Sequence, residues 1–335
     1  MPLGEKRLIQ QIRRSAKLSS SVLTGIGDDC AVLRVPPGHE LLVTTDFTIE
    51  NVHFRRDWHP PELVGRRCLT RGLSDIAAMG GEPLAVFLSL ALAGDVPQQW
   101  VDRFLKGLLA LADEFKVTLA GGDTAQSAGG IQADIVVVGS VPKGKAVLRS
   151  GAKPGDIIYV TGALGGSAAA LARLAESKPA GRALSERVSL QSISLQSSGH
   201  FFRHAQPQPR VAVGRSLRRR GVASAMIDVS DGLSTDLEHI CQESRVGAEI
   251  EAAAIPRAVT PGAGKERVAV EFALHGGDDY ELLFTSRAAI PSRVAGVRVT
   301  RIGQTTRLPG MRLLGADGKV RPLKAEGWEH FRENS

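Results

Sequence analysis

Aspartates recur beside glycine or small residues along this chain, in Gly27-Asp28-Asp29, Thr44-Thr45-Asp46, Ser74-Asp75, Gly122-Asp123-Thr124, Asp228-Val229-Ser230-Asp231 and Gly277-Asp278-Asp279. Any one of them has an ordinary structural explanation: Asp231 could cap a following helix, and Asp28 or Asp123 could stabilise a turn. Their recurrence at predicted strand exits points instead to carboxylates gathered on one cleft. Such carboxylates repel one another strongly unless cations neutralise them. Hard oxygen donors without Cys or His are what Mg²⁺ selects, with waters and substrate phosphates completing its shell. The expected chemistry is that of more than one divalent ion acting on a polyphosphate. Ca²⁺ would call for a contiguous loop of the EF-hand type, which is absent.

Other signatures fail. Gly139–Ala146 (GSVPKGKA) has the glycine and lysine spacing of a P-loop, but Ala146 replaces the hydroxyl that would hold Mg²⁺. The glycines around Gly25 and Gly162 do not complete G-x-G-x-x-G before a helix. HExxH and CxxC are missing, which excludes the common zinc sites. Lys and Arg number 42 against 35 Asp and Glu, a net charge of +7. The basic residues form short groups (Arg13-Arg14, Arg55-Arg56, Arg66-Arg67, Arg218-Arg219-Arg220) with no aromatics between them. Aromatics make up only 4% of the chain, too few for a base-stacking surface, so no nucleic-acid partner is expected. A mild positive field suits a small polyanion such as a nucleotide equally well.

A chain of 335 residues, 43% apolar and 23% charged, is expected to form two domains. The turn GAKPGD (151–156) is the expected boundary, giving domains 1–150 and 151–335. No membrane partner is expected: Leu84–Ala93, the longest nearly apolar run, is about half a membrane span. The basic N-terminus lacks the apolar core of a signal peptide. Cys30, Cys68 and Cys241 are widely spaced and read as reduced thiols of a cytoplasmic protein. Periodicity and breakers predict helices over 5–17, 60–79, 97–115, 167–175, 209–220 and 232–243, and another ending before Gly276. Strands are expected at 30–35, 41–46, 84–92, 117–119, 135–141, 157–161, 225–229, 248–252, 280–285 and 297–303. GGDT (121–124) reads as the turn after 117–119, and the serine-rich stretch 176–200 as a surface insertion. Strands and helices mix without a strict alternation, so the fold class is α+β in two domains.

Motif by motif, the chain resembles the thiamine-monophosphate kinases, of the superfamily shared with aminoimidazole ribonucleotide synthetase. The likeness runs through GIGDDCAV (25–32), TTDFTIENVHF (44–54), SDIAAMGG (74–81), GGDT (121–124) and RSGAKPGD (149–156). It continues through TGALGGSAAAL (161–171), PQPR (207–210), DVSDGLS (228–234), GGDDYELLF (276–284) and GWEHF (327–331). Two departures are Asp278, where the family usually has Glu, and the length of 176–200. The resemblance implies two α/β-type domains of the synthetase-like fold and a homodimer in which N-terminal strands of two copies pair, with nucleotide near that interface. It implies ATP and Mg²⁺-dependent conversion of thiamine monophosphate to thiamine diphosphate. Asp29, Thr44, Thr45, Asp46, Asp75, Asp123, Asp228 and Asp231 would hold several Mg²⁺ ions. Gly122, Asp123, Arg149 and Ser230 would contact ATP, and His53, Asp278 or Asp279, and Trp328 would contact thiamine monophosphate. The first domain would bind ATP and Mg²⁺ and dimerise, and the second would complete the active-site cleft. Alternatives are another ATP-using member of the superfamily, or a non-catalytic protein that binds divalent cations or nucleic acid.

The residues make the implied roles sensible. A phosphate monoester acceptor is largely a dianion at neutral pH and needs no dedicated base. The difficulty is bringing two anions together, which metal ions and an arginine relieve. His53 could be an ordinary strand-end histidine, and Trp328 could belong to the core. A flat thiazolium over an indole would equally be a natural cation–π pair.

Overall fold

The computed structural model describes residues 1–176, 206–259 and 266–331. The predicted insertion at 176–200 therefore lies, from residue 177 on, outside the described residues. The described residues divide into two compact units, one formed by Met1–Ile76 with Gly81–Gly144, the other by Ala77–Gly80 with the described residues from Lys145 onward.

In the first unit the order is α1 (Glu5–Ser15), β1 (Val22–Thr24), β2 (Val32–Leu33), β3 (His39–Ile49), α2 (Pro61–Ala78), β4 (Glu82–Ala93), α3 (Gln98–Glu114), β5 (Thr118–Ser127) and β6 (Gln132–Pro142). Its main sheet runs β3-β6-β4-β5, antiparallel except for the parallel β4/β5 pair that α3 connects. Helix α3 buries Trp100, Val101, Phe104, Leu105, Leu108 and Leu111, the spacing of one apolar helix face. The Trp100 and Phe104 rings stack 5.4 Å apart on it. On α2, Gly72 sits so close to the sheet that an added Cβ would lie 2.4 Å from Val137, which fixes the distance between helix and sheet.

The second unit continues with β7 (Ile157–Thr161), α4 (Gly166–Glu176), α5 (Val211–Arg220), β8 (Ala225–Val229), α6 (Leu233–Ser244), β9 (Gly247–Glu251), α7 (Val270–His275), β10 (Glu281–Ser286), β11 (Arg293–Val294), β12 (Val297–Thr306), β13 (Met311–Leu314) and β14 (Val320–Leu323). The sheet order is β14-β13-β9-β12-β7-β10-β8, with β11 paired to β12. Only β13/β9 is parallel within it. Its core joins Ile158, Val160, Ile227 and Val229 of the strands to Leu233, Leu237 and Ile240 of α6.

Several expectations need correction. GGDT is not a turn: Gly121–Thr124 lie inside β5, paired in register with Phe87–Leu90 of β4. Ladder hydrogen bonding to a long neighbour carries the strand through residues whose local preference is a turn. The strand expected at 30–35 shrinks to Val32–Leu33, and β1, β13 and β14 were not foreseen. The predicted strands at 157–161 and 225–229 have the observed bounds.

Candidate functional site

In the first unit the strand register sorts the candidate residues onto two faces. Side chains alternate along β3, so Thr44 and Asp46 face α2 whereas Thr45 and Phe47 face away. On the helix side the Thr44 hydroxyl donates to Asp75 Oδ2. Asp75 stands within α2, not at a strand exit. Burial above all, then the neighbouring Asp75 carboxylate, push Asp46 from the ordinary 3.8 up to about 7, and the Arg71 guanidinium offsets only part of this. On the opposite face Thr45 Oγ1 donates to Asp134 Oδ1 at 2.6 Å. Asp134 was not among the residues expected from the sequence. It stands in β6 beside a β-branched run, and an acid there is the signal that could have found it.

Across the sheet, Asp134 pairs with Ser89, and Ser89 with Asp123. Asp123 thus lies in a row of polar groups on the same face as Thr45. A cavity of about 730 Å³ opens on this side, lined by the 25–31 loop with Asp28 and Asp29, by Leu88–Leu90 and by Ala120–Thr124. The Asp29 and Thr124 amides are each tied by the preceding aspartate, at 3.0 and 2.8 Å. The Thr124 hydroxyl is buried there with no hydrogen-bond partner among the described residues. Gly122 has φ 149°, and a Cβ on it would lie 1.9 Å from the Leu88 carbonyl oxygen, so only glycine permits this approach of β5 to β4. Near the end of β3, the Ile49 amide donates to His53 Nδ1 at 3.0 Å, which leaves the ring proton on Nε2.

In the second unit three segments meet at the end of β8. Asp228 is the buried penultimate residue of that strand, and Ser230-Asp231-Gly232 turn into α6. The amides of Ser230, Asp231 and Gly232 all donate to Asp236 Oδ2, at 3.1, 3.2 and 3.1 Å. Asp236, missed in the sequence, is held well above the ordinary carboxylate range by burial and then by Asp228 and Asp231. Its place in the first turn of the helix that follows the motif, where acidic residues are favoured, was the available clue. The Asp278 amide donates to Ser230 O at 2.8 Å and the Tyr280 amide to Val229 O at 2.9 Å. Asp278 and Tyr280 adopt φ of 64° and 50°, and the Tyr280 hydroxyl donates to Asp278 Oδ1 at 2.7 Å. Two non-glycine residues in the left-handed region so close together are a conformation that the surrounding bonds must enforce.

Asp279 points elsewhere: its oxygens accept the Gly165 and Ser167 amides at 2.6 and 3.3 Å, at the start of α4. The Trp328 amide donates to Asp231 O at 2.9 Å, and the adjacent Gly327 approaches so closely that a Cβ would lie 2.2 Å from the same oxygen. The Trp328 side chain is 52% exposed, with the His330 ring edge-on at 5.6 Å, so it is not a core residue. Arg149 is exposed, and its carbonyl accepts the Ser244 hydroxyl at 3.0 Å.

In each unit the candidate donors are carboxylates and hydroxyls, and in the first Arg71 offsets only part of the charge around Asp46. That fits a hard divalent cation. Among the described residues, no group of three or more His, Cys, Asp or Glu could hold a metal ion. Asp46 on β3 and Asp123 on β5 are three strand spacings apart, roughly 14 Å along the sheet. They also face opposite sides of the sheet, so ions held there would be separate, each with a shell completed by phosphate oxygens and water. Cys68 and Cys241 are buried, their thiols each pushed up to about 12 mainly by burial, and Cys30 is exposed. No helix among the described residues is long and apolar enough to cross a membrane.

This fold and these sites define a class: the AIR synthase related protein N-terminal domain family matches residues 27–141, and the corresponding C-terminal domain family matches 153–288. The chain is 38% identical to a thiamine-monophosphate kinase of Salmonella typhimurium over 344 residues, covering 99% of each. The crystal structure of thiamine-monophosphate kinase from Stenotrophomonas maltophilia superposes with a TM-score of 0.78 at 34% identity, over 96% of this chain and 99% of that one. The complex of AaThiL with AMPPCP and TMP gives 0.72 at 31% identity over 99% of both. The chain belongs to the thiamine-monophosphate kinase family within this AIR synthase related class.

Proposed function

We propose that the protein is an ATP-dependent kinase that converts thiamine monophosphate to thiamine diphosphate, releasing ADP. The observation that carries this reading is Trp328: a half-exposed indole whose amide is bonded to the carbonyl of Asp231, within an acidic loop. Such a flat ring beside a phosphate- and metal-binding loop suits a thiazolium bearing a phosphate. The full-length likeness to kinases of that name, one of them solved with AMPPCP and TMP, supports the same substrates.

In the first unit, Asp29, Thr44, Thr45, Asp46, Asp75 and Asp123 serve as Mg²⁺ ligands, directly or through water. Gly122 and Asp123 lie against ATP in the 730 Å³ cavity, where the Thr124 hydroxyl offers a further donor. His53 presents Nε2–H to the substrate phosphate. In the second unit, Asp228 and Asp231 hold further Mg²⁺, Ser230 and Arg149 contact ATP, and Asp278 contacts thiamine monophosphate. Asp279 positions the site by fixing the start of α4. When bound, Mg²⁺ supplies charge neutralisation and orientation of the phosphates. A terminal oxygen of thiamine monophosphate attacks the ATP γ-phosphorus in line, a new P–O bond forms, and the bond to the β,γ-bridging oxygen breaks as ADP leaves. The acceptor is already a dianion, so no residue serves as general base.

A second copy of the chain completes the assembly. Strand β3 is an edge strand, and Leu41, Val43 and Phe47 on its outward face are 50, 66 and 57% exposed. An unpaired apolar edge is a template for pairing with another strand. A homodimer joined through β3, in the cytoplasm where the thiols stay reduced, is the arrangement that covers it. The deciding assay incubates the protein with ATP, Mg²⁺ and thiamine monophosphate and measures thiamine diphosphate and ADP. ADP without thiamine diphosphate, or no turnover, would overturn the reading.

A further inference from the structure

A cavity of about 870 Å³ in the second unit contains none of the residues assigned above. Arg210, Arg257, Arg267 and Arg298 line it, and none of its lining residues is acidic. Guanidinium groups stay protonated at any physiological pH, so their mutual repulsion cannot be relieved by losing protons. Arg210 has its own counter-ion: its Nε donates at 2.6 Å to Glu281, a 1% exposed carboxylate that also accepts the Thr161 hydroxyl at 2.6 Å. That pair holds one cation rigidly at the cavity wall. Arg257 is fixed by donating to the Val268 carbonyl at 2.9 Å, a neutral partner. For Arg267 and Arg298 no side-chain partner exists among the described residues.

Glu266, next to Arg267 in the chain, does not line the cavity. The cavity also contains an independent sign of a missing partner. Thr300 of β12 is one of its lining residues, and the Thr300 hydroxyl is buried without a hydrogen-bond partner among the described residues. A buried hydroxyl left unmade costs free energy that a ligand oxygen would recover.

We propose that this cavity binds a small phosphate-bearing anion, held by Arg257, Arg267 and Arg298 with a hydrogen bond from Thr300. Forked guanidinium donors match the paired oxygens of an oxyanion, which disfavours chloride, and several cations converging on one cavity suit the multiple charge of phosphate better than the single charge of a carboxylate. The volume accommodates more than inorganic phosphate alone, so an organic phosphate fits as well.

The test is equilibrium dialysis of the full chain against labelled pyrophosphate in EDTA, which removes metal-dependent binding at the carboxylates. Saturable binding near one equivalent is expected. It should weaken about tenfold or more in Arg267→Gln/Arg298→Gln, and severalfold in Thr300→Val. It should persist in Arg149→Gln. Competition by inorganic phosphate or by ADP then separates an inorganic from an organic occupant of the same site. Both arginines are exposed, so the double variant should fold, and at low salt it should melt no lower than the parent because repulsion has been removed. Absence of saturable binding overturns the proposal. So does binding that Arg149→Gln abolishes and the double variant retains, which would place the anion at the kinase site.

Discussion

Asp46 gives the carboxylate cluster a thermodynamic signature separate from turnover. A carboxyl whose native pKa lies above its unfolded value keeps its proton longer in the folded state. Folding then binds protons, and stability falls as pH rises. With Asp46 moved from 3.8 to about 7, the loss begins near the lower value and is complete above the higher one. The full interval corresponds to about 4 kcal/mol, of which about 3 kcal/mol falls between pH 5 and pH 8. For a unit of this size that is a fall in melting temperature of roughly 5 to 10 °C. Asp46→Asn keeps the shape and removes the titration. In EDTA the variant should therefore be the more stable protein at pH 8, with a flatter pH profile. Mg²⁺ should favour the parent: at pH 8 it should raise the parent's melting temperature by more than the variant's, in which the other acidic ligands remain. Turnover should be lost in the variant, because the charge that balances the cation is gone. Calorimetry of both proteins from pH 5 to pH 8, with and without Mg²⁺, checks this. Parallel profiles in EDTA, or equal stabilisation by Mg²⁺, would refute the placement of a desolvated charge at Asp46.

Four further outcomes follow from the same geometry. Trp328→Ala should raise the KM for thiamine monophosphate about tenfold or more while ATP affinity stays nearly constant, and Trp328→Phe should recover much of the loss. A change in melting temperature without a change in that KM would remove the stacking role. Arg149→Lys should weaken ATP use, because an ammonium replaces a forked donor with a point charge, and titration with an ATP analogue measures it. Gly122→Ala places a methyl against the Leu88 carbonyl in a backbone conformation closed to alanine, and chemical denaturation should show a loss of more than about 2 kcal/mol. Phe47→Lys on the exposed face of β3 should shift the protein from dimer to monomer in sedimentation velocity.

Much of the scaffold was legible because local signals and tertiary context agree. Proline opens α2 near Pro61 and precedes α3 at Pro97, and the apolar spacing of α3 is that of its buried face. The strands Ile157–Thr161 and Ala225–Val229 are buried throughout or nearly so and read as apolar runs. Legibility failed where neighbours decide. The glycines of GGDT suggest a turn, yet pairing with β4 keeps them in a strand. Strands β13 and β14 are short and carry Arg312 and Arg321, and β13 is defined by its parallel ladder to β9, whose register no local pattern encodes.

The aspartates show the same division at the level of the site. Their types and order pointed to metal and phosphate chemistry, but the idea that they all sit at strand exits does not survive. Asp46 and Asp123 lie within strands, Asp228 lies just before the end of one, and Asp75 lies in a helix. Once β3 is known to run unbroken to Ile49, its alternation separates Thr44 and Asp46 from Thr45, and neighbouring residues in sequence come to face different surroundings. Asp134 and Asp236 escaped notice because each stands inside a regular element and gains its meaning from a partner distant in sequence or from loop amides. Asp279 shows the converse, a carboxylate in a conspicuous motif whose bonds go to the backbone at the start of α4. Adjacent Asp278, with its left-handed backbone and its bond from Tyr280, is the one oriented by the loop that also carries Ser230. A motif therefore identifies the carboxylates available for chemistry, and hydrogen-bond partners decide which of them the fold has already used.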